Sequence, residues 1–224
     1  MKILLIMLLF IISCTETNQK FSSNNKIELF NTSSEITIKD LKNHIGFLAS
    51  DDLEGRASGT FGDEMAKDYI KKFFENASLP TKRTVEIQEH YVPAERKWNL
   101  KPEDMTVKTY NIIATLPGND PILKDEYVVI GGHYDGGAAT AAQLKKLSGD
   151  KIYNNADDNA SGTATVLELF EKYASTNSNK RTLVFILFGG EELGLLGSKY
   201  YVENPTINLN LSLIHISEPT RRSY

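Results

Sequence analysis

The segment TLVFILF, Thr182–Phe188, constrains the fold more than any other part of the sequence. An uncharged run rich in β-branched and aromatic side chains predicts a strand that is buried on both faces of its sheet. The next residues are GGEELG, which place Glu191 and Glu192 side by side at the edge of the predicted core. Because burying an unpaired carboxylate costs free energy, these residues call for a helix N-terminus or a cation nearby.

Strands and amphipathic helices alternate along the rest of the chain. We predict helices from Ser161, from Glu191 and over 38–50 and 63–76, further strands over 84–92, 111–116 and 126–131, and a loop over 136–150. The predicted class is α/β, with a mixed, largely parallel, buried sheet and helices on both faces. In such sheets, sites collect beyond the carboxyl ends of central strands.

Length and charge bound the possible functions. The chain has 224 residues, 41% of them hydrophobic, which suits one domain with a sizeable core. Its net charge of −4, without any basic block, gives no electrostatic case for nucleic-acid binding. The sequence gives no indication of oligomeric state.

The N-terminus predicts export. Lys2 and the apolar run 3–12 have the pattern of a signal segment too short to span a bilayer, and Cys14, the only cysteine, follows. This resembles a bacterial lipobox, in which the cysteine is lipidated; the alternative is an ordinary signal peptide with an incidental cysteine. We predict a lipoprotein signal over 1–14, a polar tether over 15–31, and attachment through Cys14 to a membrane of the cell envelope, on the periplasmic or outer surface.

Three polar clusters are predicted to lie beyond three successive buried strands. In GGHYD, His133 and Asp135 lie beyond a strand, and Asp135 is placed to hold the ring of a metal-binding histidine. Taken alone, a surface His–Asp pair is the better interpretation. In NNADDNASG, Asp157, Asp158 and Asn159 precede a helix; capping explains one of them, and a carboxylate here could bridge two cations.

The Glu191–Glu192 pair has an ordinary explanation as well. Acidic residues at an exposed helix N-terminus gain about 0.3–1 kcal/mol from the helix dipole. Alternatively, one glutamate binds a metal while the other acts as a general base, as metal-assisted hydrolysis requires. Because all three clusters follow buried strands, we favour the metal site. Oxygen and imidazole ligands without thiolate indicate zinc, with manganese or cobalt also compatible.

These motifs resemble the co-catalytic zinc aminopeptidase family, which includes secreted bacterial leucine aminopeptidases and has glutaminyl cyclases and glutamate carboxypeptidase as relatives. The resemblance extends from LASDDLEGRASGTFGDEMAKDYI, at Leu48, to GLLGSKYYVENP, ending at Pro205. It rests on GGHYD, NNADDNASGTA and EELGLLGS, which occur in the family's order. The resemblance implies a metallo-exopeptidase that removes N-terminal residues from peptide substrates by means of a water activated by two zinc ions.

The resemblance also implies a role for each residue. His133 would bind one zinc, Glu192 the other, and Asp158 would bridge them, whereas Asp157 matches no ligand. Glu191 would be the general base and Asp135 would orient the His133 ring. The peptide bond after the bridging aspartate is often cis in the family.

The family has a further Asp and a further His ligand downstream of the Glu–Glu pair, and neither is identifiable here. Residues 211–221, LSLIHISEPTR, resemble the translation of a transposase-type sequencing adapter. We therefore expect a partial catalytic domain over 32–210, adapter read-through over 211–224, and no activity for the chain as given. Residues 211–224 should form an extension with few core contacts, and His215 should lie away from the site.

Two other functions stay open from the sequence. A glutaminyl cyclase would use a related scaffold with one zinc, and the Glu–Glu pair is compatible with it. A receptor-like binding domain on the same fold would have lost its metal site, which the presence of His133, Asp158, Glu191 and Glu192 disfavours.

Overall fold

The computed structural model describes residues 33–76, 78–92, 108–137 and 151–216. Its helices and strands are α1 Ile38–Leu48, α2 Phe61–Phe74, β1 Thr84–Tyr91, β2 Lys108–Leu116, β3 Tyr127–His133, α3 Ser161–Thr176, β4 Thr182–Phe188, α4 Leu196–Glu203 and β5 Ser212–Ile216. The predicted signal and tether, and most of the loop predicted over 136–150, lie outside the described residues. No helix within the described ranges is both long and apolar enough to cross a bilayer.

One mixed sheet organises the described residues. Its strand order is β1-β2-β4-β3-β5, with β2 antiparallel to both β1 and β4, and with β3 parallel to both β4 and β5. The apolar segment TLVFILF is β4, at the centre of the sheet, and all of its residues are buried. The predicted α/β class with a mixed sheet is confirmed, and the parallel pairing lies in the half of the sheet formed by β4, β3 and β5.

Helices cover both faces of this sheet. On one face, α1, α2 and α3 form the larger core, where the Phe170 ring lies 4.7 Å from Phe74 and 5.5 Å from Phe185, centroid to centroid. On the other face, α4 packs through Tyr201, whose ring lies 6.2 Å from that of Phe188. Residues on opposite sides of the pleat of β4 therefore belong to two different cores, as the uninterrupted apolar pattern predicted.

Local signals explain where the first two helices begin. The Thr37 hydroxyl accepts a hydrogen bond from the N–H of Asp40, and the Thr60 hydroxyl accepts one from the N–H of Asp63. Each bond satisfies one of the free N–H groups at a helix start. Both helices match their predictions to within about two residues, the usual uncertainty of a helix end.

The helix predicted from Glu191 is wrong, because α4 begins at Leu196. Gly190, Gly194 and Leu195 have φ angles of 77°, 100° and 62°, which a right-handed helix does not contain. Residues 190–196 instead form a closed turn, in which the N–H of Leu195 donates to the carbonyl of Glu191 at 2.9 Å. The acidic pair therefore lies in a turn that follows β4.

The expectation of a loosely attached C-terminal extension is also wrong for Ser212–Ile216. These residues form β5, which pairs with β3 so that Tyr127 faces Ser212 and Ile130 faces His215. An apolar, β-branched run can pair in this way because β3 would otherwise present unpaired backbone groups at its edge. His215 thus lies at a register position three residues before His133. The adapter origin of 211–224 stays a prediction.

Candidate active site

His133 ends β3 and is 2% exposed. Its Nδ1–H donates to the backbone carbonyl of Asp135 at 3.1 Å, and its Nε2 lies 3.1 Å from Asp158 Oδ1. Holding Nδ1 on a carbonyl fixes the ring and directs Nε2 towards a ligand, which is the usual arrangement of a metal-binding histidine. The predicted orienting residue is therefore in place, with its backbone carbonyl rather than its carboxylate closest to the ring.

The carboxylate of Asp135 joins the end of β3 to the acidic turn. It is fully buried, and it accepts hydrogen bonds from the N–H of Glu191 at 3.1 Å and from the N–H of Glu192 at 3.4 Å. Ser58 completes the link, because its hydroxyl donates to Asp135 at 2.8 Å and accepts from the N–H of Gly190 at 3.0 Å. The two glutamates are thus fixed through their backbone to the segment that carries His133.

Asp158 lies in a distorted turn between the segment 151–155 and α3. Its backbone angles are not helical, and the Asp158–Asn159 peptide bond is cis, as the resemblance implied. The Asn159 side chain accepts from the N–H of Gly162 and donates to the carbonyl of His133, and Thr163 donates to the same carbonyl at 2.9 Å. Asn159 therefore accounts for the capping role, whereas Asp158 is directed to the imidazole.

The charges of the site are strongly coupled. Burial by itself lowers the pKa of His133, but Asp135 first, and then the charges of Glu191 and Asp158, outweigh it and raise the pKa to about 9. Burial, together with the charges of Asp158, Asp135 and Glu191, raises the pKa of Glu192 to about 7, against the opposing effect of His133. The cluster thus carries more carboxylates than its one imidazolium can balance.

This donor set fits a divalent cation. Two ligands at zinc distances and a tetrahedral angle lie about 3.3 Å apart, close to the 3.1 Å between His133 Nε2 and Asp158 Oδ1. The Glu192 carboxylate lies beside Gly137, where an added Cβ would stand 3.1 Å from Oε2. Within the described ranges, however, no three His, Cys, Asp or Glu side chains converge on one point. The structure joins two of the predicted ligands, and it brings Glu192 to the site through the N–H bond to Asp135.

An open cavity lies beside the predicted bridging carboxylate. It has a volume of about 350 Å³ and is lined by residues 152–158, including Asp158, Asp157 and the partly exposed Tyr153. Such a concave surface next to polar groups is a typical ligand site.

Sequence reasoning missed three residues that hold the site together, namely Arg56, Ser58 and Asn155. Each is buried and hydrogen bonds to the segments that carry the predicted ligands. A sequence pattern could have indicated them, because EGRASG and NNADDNASG combine polar residues with glycines. Such a combination is typical of tight loops in which side chains hydrogen bond to backbone groups. The sequence could not show which loops they join.

Solved structures with the same fold were found. A Zn-dependent exopeptidase from Parabacteroides distasonis superimposes with a TM-score of 0.58 at 15% identity, over 84% of this chain and 62% of that one. A glutaminyl cyclase from Fimbriiglobus ruber superimposes with a TM-score of 0.57 at 22% identity, over 78% of this chain and 56% of that one. At such identities these matches show the fold alone, which is that of zinc-dependent exopeptidases and glutaminyl cyclases.

Proteins with similar sequences were also found. Leupeptin-inactivating enzyme 1 of Streptomyces exfoliatus is 32% identical over 179 residues, which cover 77% of this chain and 33% of the relative. A probable leucine aminopeptidase of Arthroderma otae is 35% identical over 96 residues, 41% of this chain and 23% of the relative. Residues 111–217 match the model of peptidase family M28. The chain spans about a third or less of the length of these two curated relatives.

Proposed function

We propose that this domain belongs to a zinc-dependent aminopeptidase that hydrolyses the N-terminal peptide bond of its substrates. The observation that carries the proposal is the contact of His133 with Asp158, beside a Glu–Glu turn whose amides bind Asp135. The match to the model of peptidase family M28 supports peptide hydrolysis, and the names of the curated relatives favour an aminopeptidase.

The residues would divide the work as follows. His133 and Glu192 would each hold one of two zinc ions, and Asp158 would bridge them. Bound zinc supplies a Lewis acid and lowers the pKa of water enough for it to attack at neutral pH. Glu191 would accept the proton of the attacking water and pass it to the leaving amine, as a general base and then a general acid. Asp135 would keep the His133 ring and both glutamates in position.

A glutaminyl cyclase is the second candidate, supported by the fold match to such an enzyme. The two activities are separated by substrate. The protein expressed from the complete coding sequence should release the anilide from an aminoacyl anilide, should lose this activity on chelation, and should regain it with zinc. Cyclisation of an N-terminal glutamine without anilide release would select the cyclase, and neither activity in a zinc-loaded protein would favour a binding domain.

We also propose that the protein is exported and anchored to the cell envelope through a lipid on Cys14. This proposal is supported by the position of Cys14, which is separated from the apolar run 3–12 by Ser13 alone.

A further inference from the structure

Arg56 is a fully buried guanidinium in the loop between α1 and α2. It donates to the carbonyls of Tyr134 at 3.0 Å, Asn154 at 3.0 Å and Asn155 at 2.9 Å, and also to that of Leu48. All of these acceptors are backbone oxygens. A planar group with five N–H donors can reach such a set, whereas a lysine ammonium, with three donors at one point, cannot.

Asn155 makes the reciprocal contacts. Its side-chain nitrogen faces the carbonyls of Gly55 at 3.1 Å, Gly137 at 3.0 Å and Tyr153 at 2.8 Å. Its own carbonyl accepts from Arg56, and its backbone has a φ of 53°, a conformation that asparagine tolerates better than most residues. We call Arg56 and Asn155 together the loop clasp.

The loop clasp joins three segments that are far apart in sequence: residues 55–56, residues 134–137 and residues 153–155. The second follows His133 directly, and the third leads to Asp158 after two further residues. The N–H of Gly136 also donates to the carbonyl of Arg56 at 3.1 Å, which adds a backbone bond to the same junction. Loss of the clasp would therefore free His133 and Asp158 to move relative to each other.

A second arginine, Arg83, also hydrogen bonds to backbone carbonyls, but it lies away from the site. Arg83 also donates to four backbone carbonyls, those of Phe74, Asn76, Leu79 and Thr81. These acceptors lie at the end of α2 and in the turn that follows it, so Arg83 closes a local turn and contacts neither ligand-bearing segment. It is a matched control for the loss of a guanidinium that binds carbonyls.

We propose that Arg56 and Asn155 are positioning residues that set the separation of His133 and Asp158 and thereby the affinity of the site for zinc. The inference rests on the proposed function for its metal. Its mechanical part, the fixing of segments 134–137 and 153–160, does not depend on the metal.

The test compares Arg56→Lys, Asn155→Gly and Arg83→Lys in the protein from the complete coding sequence. Asn155→Gly removes the side-chain amide without straining the left-handed backbone. Zinc affinity is measured by competition with a chromophoric chelator, and amide hydrogen exchange is measured on the metal-free protein. Removing partners that orient metal ligands typically costs 10–100-fold in affinity, so both clasp variants should lose about that much, while Arg83→Lys stays within about twofold of wild type.

The hydrogen-exchange experiment tests the loop clasp separately from the proposed zinc-dependent function. The clasp variants should exchange faster over 134–137 and 153–160, whereas Arg83→Lys should exchange faster only near 74–83. Wild-type zinc affinity and wild-type protection in a folded Asn155→Gly protein would overturn the loop clasp. A wild-type protein without zinc affinity would overturn the proposed function, and exchange alone would then decide the clasp.

Discussion

At the scale of single residues, buried carboxyl groups are the most informative feature of this domain. The carboxylate of Asp135 is fully buried, and it accepts hydrogen bonds from the Ser58 hydroxyl and from the N–H groups of Glu191 and Glu192. Glu171 on α3 differs: burial first, and the charges of Glu168 and Asp40 next, raise its pKa to about 7, although the N–H of Ser33 partly opposes them. The same helix face carries Glu168, which pairs with His44 at 2.9 Å.

The raised pKa of Glu171 predicts a pH-dependent cost to stability. In the folded state Glu171 keeps its proton up to about pH 7, whereas in the unfolded chain it loses the proton near pH 4.5. The stability that this difference in pKa contributes is therefore full below pH 4.5 and is lost as the pH rises to 7. Glu171→Gln should therefore gain free energy of unfolding relative to wild type between pH 4.5 and 7, and show no further gain above. Denaturant unfolding across this range measures it. Glu203→Gln, at an exposed carboxylate on α4, is the control, and an equal pH-dependent gain there would contradict the argument.

At the scale of elements, the turn after β4 and the helix α4 depend on close backbone approach. A methyl group on Gly197 would overlap the side-chain oxygen of Asn111 and the carbonyl of Gly189. The amide of Asn111 already donates to the Gly197 carbonyl at 3.0 Å, so β2 and α4 are in direct contact there. The helix α4, which covers the second face of the sheet, therefore packs against β2 through a glycine.

Two glycine-to-alanine substitutions should have opposite effects. Gly197→Ala should lower the free energy of unfolding by about 1–3 kcal/mol, because the added methyl group overpacks a tight contact. Gly46→Ala, on α1 where an added Cβ would meet no atom within 4 Å, should raise it by about 0.5–1 kcal/mol. Equilibrium unfolding of both variants decides the matter, and a stabilising Gly197→Ala would show that α4 does not pack as described.

The same scale shows what the sequence could and could not predict. The strand Thr182–Phe188 was predicted to the residue, because an uninterrupted apolar run bounded by glycines has few other solutions. The start of α4 was misplaced, because Leu195 adopts a φ of 62° that no local pattern announces. The contact of His133 with Asp158 was accessible because both residues lie in motifs that the sequence singles out, GGHYD and NNADDNASG, whereas Arg56 and Asn155 act across loops that only the fold brings together.

At the scale of the whole molecule, the described residues carry both the acidic turn and the imidazole on one mixed sheet. Leupeptin-inactivating enzyme 1 is about three times as long as the stretch it shares with this chain, and the probable leucine aminopeptidase of Arthroderma otae is about four times as long. The larger core lies on the face covered by α1, α2 and α3, and the smaller one lies under α4. A site for two metal ions would need ligands at both ends of a bridging carboxylate, and His133, Asp158 and Glu192 are the residues proposed for it here.

The proposed export and lipid anchor are tested by cell fractionation of the whole protein. We expect wild type to fractionate with membranes and to carry a lipid, because only Ser13 separates Cys14 from the apolar run 3–12. Cys14→Ser should release the protein into the soluble fraction. Equal, unlipidated and soluble behaviour of both forms would contradict the lipid anchor and leave an ordinary signal peptide.

The division of labour between the two adjacent glutamates is the central claim, and metal content measured together with turnover tests it most directly. In the protein from the complete coding sequence, Glu191→Gln should keep its zinc and lose about 10²–10⁴-fold in turnover, since a general base contributes that much. Glu192→Gln should lose zinc, because an amide is a poorer ligand than a carboxylate. Elemental analysis of the purified proteins gives the zinc content. Equal loss of zinc in both variants, or full turnover in Glu191→Gln, would contradict the assigned roles.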